Sequence, residues 1–281
     1  MPHPAMSPNN VAVITGGASG IGLAAAMRFA GLGMKVCIAD LGGDRLAAAE
    51  TKLSSAAPAS NIMAAAVDVS RIEQVSELEA AVQKRFGGTD ILMNNAGISP
   101  GTRMFGPLEN WQRVFAVNLW GVIHGSQVFA PDMIERGRPG LIINTGSKQG
   151  ITTPPGEPAY NVTKAGVKAF TEALQHELRN TAGSKISAHL LIPGHVFTGL
   201  TARGRTEKPA GAWTPEQTID FMMMRIDAGD FYVLCPDNDV PRRLDERRIL
   251  WAAGDIVENR PALSRWHPDY AKAFARFVKG D

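Results

Sequence analysis

Short runs of apolar residues recur from residue 11 to about 234, separated by longer stretches in which apolar positions return every three or four residues. The runs "VAVIT" (11–15), "KVCIAD" (35–40), "IMAAAV" (62–67), "DILMNN" (90–95), "LIINT" (141–145), "ISAHLLI" (186–192) and "FYVLC" (231–235) predict seven strands. Helical periodicity covers 18–33, 74–86, 109–137 and 158–180. Strands apolar at consecutive positions are buried on both faces, and an intervening helix supplies the crossover that a parallel neighbour requires. The predicted class is α/β, a doubly wound parallel sheet in one domain spanning 1–281 with its core at about 10–235. A segment at about 194–228, rich in Gly, Pro, Thr and Met, reads as a loop and a helix. Residues 240–279 read as a helical tail carrying Trp251, Trp266, Tyr270, Phe274 and Phe277.

Composition narrows the classes of function. With 29 Lys and Arg against 27 Asp and Glu, the net charge of +2 offers no strong field for a nucleic-acid backbone or an anionic membrane, so neither is an expected partner. The most basic stretch, "RRLDERR" at 242–248, includes two acids and reads as a solvated helix face. Cys37 and Cys235 fall in two different apolar runs, the usual setting of free, inert thiols, which suits a reducing compartment. The opening "MPHPAMSPNN" has neither a basic nor an apolar targeting segment, and no run is long enough to span a bilayer, so a cytoplasmic location is the expectation. The six histidines show no zinc-ligand spacing, and no metal is expected.

Candidate chemistry begins at "TGGASGIG" (15–22), which follows the first strand and opens the first helix. Gly16, Gly20 and Gly22, with Ser19 and Ile21 between them, can bring backbone close to a pyrophosphate at a helix N-terminus. Asp40, 18 residues beyond Gly22 at the end of the second strand, suits the ribose hydroxyls of an adenosine and repels a 2′-phosphate. It is equally placed to cap the next helix, and Arg45 is a weak candidate for a 2′-phosphate. Asp68 and Val69 end the third strand by the adenine edge, where Asp68 or Ser70 can instead be a capping residue. Tyr160 and Lys164 in "YNVTK" lie one helical turn apart, a spacing that fits two solvated neighbours or a base beside a cation.

Read together, Thr15-Gly16-x-x-x-Gly20-x-Gly22, "NNAG" at 94–97, Asn118, Ser147, Tyr160-x-x-x-Lys164, and "PG" at 193–194 followed by Thr198 run in order through residues 15–198. In this set of motifs the chain resembles the short-chain dehydrogenase/reductase family, in its single-domain branch with a Rossmann-type sheet. The resemblance implies Tyr160 as general base, Lys164 and the positive nicotinamide ring together lowering its pKa, Lys164 also holding the nicotinamide ribose, Ser147 donating to the substrate oxygen, and Asn118 holding a water in a proton relay, with a polar residue bonding to backbone and bending the helix the alternative for Asn118. It places Asn95, Ala96 and Gly97 beside the adenosine ribose, with Asn94 stabilising the sheet, and Pro193, Gly194, Val196 and Thr198 around the nicotinamide amide. It implies an NAD(H)-dependent oxidoreductase acting on a secondary alcohol or a ketone or aldehyde, as a homodimer through two long helices or a homotetramer. An NADPH-dependent 3-oxoacyl-thioester reductase and a non-catalytic NAD(H)-sensing scaffold are the alternatives.

Departures from the family pattern mark the substrate side. Gln149, Glu157, His195 and Trp213 are candidate substrate contacts, with helix capping the alternative for Glu157 and packing that for His195. Lys148 reads as an exposed loop charge, and the prolines of "ITTPPGEP" stiffen one wall. The region 194–228 is the expected substrate cover, where Met222, Met223 and Met224 line an apolar pocket or pack a helix onto the body. "DFYVLCPDNDVPRRLDERR" replaces the family's usual last-strand segment. With "RGRPG" at 136–140, it is similar to short-chain dehydrogenases that oxidise benzylic alcohols of lignin-type aryl ethers, which points to a hydrophobic or aromatic substrate.

Overall fold

The computed structural model describes residues 2–202 and 204–280, so position 203 of the predicted cover lies outside the described residues. Seven parallel strands form one sheet in the order β3-β2-β1-β4-β5-β6-β7. They are β1 (Val11–Thr15), β2 (Lys35–Asp40), β3 (Ile62–Ala66), β4 (Ile91–Asn94), β5 (Gly140–Thr145), β6 (Ile186–Ile192) and β7 (Tyr232–Leu234). Ala12 pairs with Val36 on one side and Ile91 on the other, so β1 sits where the winding reverses. In open α/β sheets this switch point leaves a crevice beyond the carboxyl ends of the strands.

The helices are α1 (Gly20–Gly31), α2 (Asp44–Leu53), α3 (Ile72–Phe86), α4 (Leu108–Phe115), α5 (Gly121–Glu135), α6 (Gln149–Thr152), α7 (Pro158–Asn180), α8 (Gly199–Ala202), α9 (Pro215–Asp227), α10 (Arg242–Val257) and α11 (Ala271–Lys279). Alternate strand residues feed opposite layers, as the pleat requires. Ala12, Ile14, Val36, Ile38, Ile91 and Met93 meet α1, α2 and α9. Val11, Val13, Cys37, Ala39 and Leu92 meet α3, α5 and α7. Every residue of β1, β4 and β5 is buried, which is why these strands read as unbroken apolar runs.

Two features differ from the sequence expectations, and a third decides between two open readings. The helix expected over 109–137 is broken by one π-helical turn at Ala116–Trp120, with Asn118 fully buried inside it. Met222 and Met223 are buried where α9 packs on α1 and β7, while Met224 points to solvent, so the methionine run holds a helix to the body. In the stretch 242–248, Arg242, Arg243 and Glu246 are exposed as a solvated face requires, but Asp245 turns inward and is buried. Beyond it, Trp251 is buried under Phe274 and Phe277 of α11, and the Arg260 guanidinium lies 4.0 Å from its ring centroid. Among the described residues no helix is long and apolar enough to cross a membrane.

Candidate active site

At the carboxyl ends of β1, β4 and β5 a cleft of about 490 Å³ runs from Asp40 to Tyr160. Its floor is the glycine loop. Gly16 (φ +64°) and Gly20 (φ +53°) take left-handed backbone conformations that other residues reach only with strain. A Cβ on Gly22 would lie 2.2 Å from the Gly16 carbonyl oxygen, and one on Gly16 would lie 2.8 Å from the Ala96 Cα. The loop is therefore packed directly on helix and strand. Ser19 precedes α1 without capping it through its side chain, and the first turn carries no acid, so the helix N-terminus faces the cleft uncompensated. Such a cradle fits the pyrophosphate of a dinucleotide. Thr15 Oγ1 accepts from the backbone N–H groups of Asn95 (3.0 Å) and Ala96 (3.2 Å), and Asn95 Nδ2 donates to the carbonyls of Thr15 and Gly16. The 94–97 turn thus locks to the glycine loop.

Asp40 stands at the end of β2 against this cradle. Its Oδ2 accepts from Ala18 N (3.1 Å), while Oδ1 accepts from Leu41 N (2.9 Å) and Arg45 Nη2 (2.9 Å). It caps no helix, since the N-cap of α2 is Gly43. Arg45 lines the same cleft and is paired with the aspartate. Asp68 and Val69 form the neighbouring wall, and Asp68 Oδ1 also accepts from the Ser70 N–H and hydroxyl, so lining the cleft and capping a turn coexist.

Tyr160 and Lys164 share one face of α7, and Lys164 Nζ lies 5.6 Å from the Tyr160 ring centroid. Ser147, two residues past β5, hydrogen-bonds Tyr160 and accepts from Gln149 N at 3.1 Å. The short helix α6 sets this approach. A Cβ on Gly150 would lie 2.4 Å from the Lys164 carbonyl carbon, so the serine turn sits directly on the backbone of α7. Lys164 is 3% exposed or less in its surroundings and donates to the Thr145 carbonyl at 2.7 Å, leaving two of its N–H groups for the cleft.

Burial dominates the protonation of Tyr160 and Lys164 in the chain by itself. Burial pushes the Tyr160 phenol up to about 12, the Ser147 hydrogen bond pulls against this, and the Glu157 charge adds to it. Burial also brings Lys164 down to about 8. In the chain by itself, burial outweighs the neighbouring groups at Tyr160. Asn118 bonds to backbone from inside the helix that the π turn interrupts. Its Oδ1 accepts from Ile98 N (2.8 Å) and its Nδ2 donates to Ile98 O (2.9 Å), so the side chain pins the loop after β4.

Pro193, Gly194, Val196 and Thr198 line the wall facing Ser147. Thr198 leans over the glycine loop, 3.0 Å from where a Gly20 Cβ would be. Behind this wall lies the largest correction. Lys148 is no exposed loop charge: its side chain is 18% exposed and its ammonium sits 2.6 Å from Asp245 Oδ2 and 3.3 Å from Asp237 Oδ2.

The four proposed substrate contacts do not line the cleft among its described residues. His195 is held through its backbone, N–H to Asp237 Oδ2 and carbonyl to Trp213 N, and Trp213 packs edge-on against Phe221. Gln149 lies in α6 with its backbone N–H on Ser147. Glu157 is the N-cap residue of α7 without a side-chain cap, and instead accepts a hydrogen bond from Ser99. The walls on that side are Ser99, Pro100, Arg113, Val117 and Leu200. None of these was among the expected contacts, although the one-turn spacing of Arg113 and Val117, ending next to Asn118, is the signal that puts both on one helix face.

Comparison with known proteins agrees with this geometry. The profile of the short chain dehydrogenase family matches residues 10–209. The chain is 32% identical to 1-deoxy-11-beta-hydroxypentalenate dehydrogenase of Streptomyces exfoliatus, over 91% of this chain and 93% of that one. It is 37% identical to 3beta-hydroxysteroid dehydrogenase 1 of Eggerthella lenta, over 72% and 76%. A short-chain dehydrogenase/reductase from Burkholderia phymatum, solved with NAD, superposes with a TM-score of 0.81 at 31% identity, over 91% of this chain and 96% of that one. With the sheet order, the glycine cradle and the serine, tyrosine and lysine gathered on one wall, these likenesses make the chain a member of the short-chain dehydrogenase/reductase family of oxidoreductases.

Proposed function

We propose that this protein is an NAD(H)-dependent dehydrogenase that interconverts a hydrophobic secondary alcohol and its ketone. The observation that carries the reading is the convergence of Ser147, Tyr160 and Lys164 on the cleft that also holds the glycine loop and Asp40. The cradle would hold the pyrophosphate through Gly16, Ser19, Gly20 and Ile21, with Gly22 closing it from beneath and Asp40 on the adenosine ribose. Asp68, Val69, Asn95, Ala96 and Gly97 would flank the adenosine, and Pro193, Gly194, Val196 and Thr198 the nicotinamide. When bound, NAD+ supplies the hydride acceptor and a positive ring whose field favours the phenolate.

Ser147 orients the substrate oxygen by donating a hydrogen bond, and Tyr160 takes the hydroxyl proton. Lys164, with two N–H groups still available, holds the ribose and passes the proton onward, while Asn118 fixes the loop that closes this side. Pro100, Val117 and Leu200 give the substrate side an apolar lining, and the relatives named for a hydroxypentalenate and a 3beta-hydroxysteroid support a hydroxyl substrate. One observation favours a second reading of the cofactor. Arg45 lines the cleft beside Asp40 and, turned outward, would meet a 2′-phosphate, as the NADPH-dependent thioester reductase reading requires.

The test is NADH formation from NAD+ across a panel of aryl carbinols, alicyclic alcohols and hydroxyacyl thioesters, with NADP+ in parallel. Tyr160→Phe is expected to lower kcat by about a thousandfold or more while NADH still binds. A Tyr160→Phe protein with wild-type turnover would overturn the mechanism. Cofactor binding without turnover of any alcohol would favour the sensing scaffold.

A further inference from the structure

The Lys148 ammonium lies between two carboxylates from a distant part of the chain, Asp237 after β7 and Asp245 in the first turn of α10. Both aspartate side chains are 5% exposed. Asp237 is also tied on its other side: Oδ2 accepts from His195 N (3.1 Å), and Oδ1 accepts from Val240 N (2.8 Å) and Asp239 N (3.2 Å). A Cβ on Gly194 would lie 2.4 Å from Asp237 Oδ2 and 2.9 Å from Lys148 Nζ, so the backbone of the 193–198 wall rests on this ion cluster. Lys148 is the residue after Ser147, and its own N–H approaches the Pro193 carbonyl at 3.4 Å. Ile249 of α10 and Ile151 of α6 pack against the same apolar cluster, and α10 contacts α6, which continues the contact to the serine turn. Arg248, one turn beyond Asp245, and Arg265 supply further positive charge near it, so three cations surround the two carboxylates. Burial pushes the Asp245 carboxyl up and Lys148 pulls it back, which makes the pairing the condition for burying either group.

We propose that Lys148, Asp237 and Asp245 form a brace through which α10 positions both Ser147 and the 193–198 wall of the cleft. The three are positioning residues, and none of them lines the cleft among its described residues. The proposal rests on the reading of Ser147 as the substrate's hydrogen-bond donor and of the 193–198 segment as the nicotinamide wall. Removing the ammonium leaves Asp237 and Asp245 as like charges with Arg248 and Arg265 near Asp245, and their repulsion works against the His195 N–H contact of Asp237. Small displacements of groups around a reacting centre cost rate steeply.

Lys148→Met, its conservative counterpart Lys148→Arg and the isosteric Asp245→Asn test this in the full-length chain. NADH binding is followed by fluorescence, and kcat and its primary deuterium isotope effect are measured with the alcohol found in the panel, well below each Tm. Lys148→Met is expected to weaken NADH binding and lower kcat, each by about tenfold, with Lys148→Arg recovering most of the loss. The isotope effect on kcat rises in Lys148→Met, because a misplaced wall slows hydride transfer itself, whereas a smaller folded fraction leaves it unchanged. If Lys148→Met does not fold, Asp245→Asn carries the same expectations. Binding, kcat and isotope effect all within twofold of wild type, even with a lower Tm, would show that the cluster only fastens α10 and would overturn the brace. Failure of the functional reading is seen separately, as retained turnover in Tyr160→Phe, and the NADH-binding arm then still decides the brace.

Discussion

Lys164 is a charge placed where the protein is destabilised by it. Burial lowers its pKa from 10.5 to about 8, a difference that corresponds to about 3 kcal/mol against folding whenever the unfolded chain keeps the lysine protonated. A depressed pKa means the native state binds fewer protons than the unfolded state between about pH 8 and 10.5, so stability rises with pH across that window. Below pH 8 the penalty is present in full, and above 10.5 it is gone. Lys164→Met removes the charge and keeps most of the volume. It also removes the 2.7 Å hydrogen bond to the Thr145 carbonyl, which offsets about 1.5–3 kcal/mol of the gain at neutral pH. The variant is therefore expected to be as stable as wild type or about 1 kcal/mol more stable at pH 7 while losing turnover. The decisive reading is the difference between the two proteins. From pH 7 to about pH 10, wild type should gain about 2 kcal/mol on Lys164→Met by urea unfolding, since titrations common to both cancel. Parallel stability profiles across that range would refute the argument, because they would mean that the buried amine keeps an ordinary pKa.

Two further predictions follow from the cofactor cradle. Asp40→Ser takes the acceptor from the Ala18 N–H and releases Arg45 into the cleft, so the ratio of kcat/KM for NAD+ over NADP+ should fall by about a hundredfold; an unchanged ratio would remove Asp40 from cofactor choice. Gly22→Ala forces a Cβ to 2.2 Å from the Gly16 oxygen and 2.6 Å from Asn95 Nδ2, and should cost about 1–3 kcal/mol in urea unfolding together with NADH binding. At Gly31, the last residue of the same helix, a Cβ meets nothing within 4 Å, and the same substitution should be neutral or stabilise by up to about 1 kcal/mol.

The strands were legible because burial on both faces leaves an unbroken apolar run, and their ends differed by one residue, at Val67, Asp90, Asn95, Gly140, Phe231 and Cys235. The glycine loop and the serine, tyrosine and lysine were legible because tight backbone packing and one-turn spacing constrain nearby positions. The ion cluster behind them was not. Its partners are 89 and 97 residues apart, and each of Lys148, Asp237 and Asp245 sits in a polar stretch whose composition also fits a solvated surface. The burial of Tyr160 and Lys164 was not legible for a related reason. Spacing shows that Lys164 is near Tyr160, but how far both are desolvated depends on the loops packed over them.

The π turn at Ala116–Trp120 acts as a phase shifter between α4 and α5. An α-helix rotates about 100° per residue, so one residue more or less at this turn would swing everything before it around the helix axis. As it stands, Arg113 and Val117 look into the cleft, Asn118 reaches the Ile98 backbone, and Val122, Phe129 and Met133 still face the sheet. A single-residue deletion here would straighten the helix, yet it would turn Arg113 and Val117 away and unhook the loop after β4. Chain length between residues 116 and 120 is thus held as tightly as any side chain in the cleft, in a segment that looks from its sequence like uninterrupted helix.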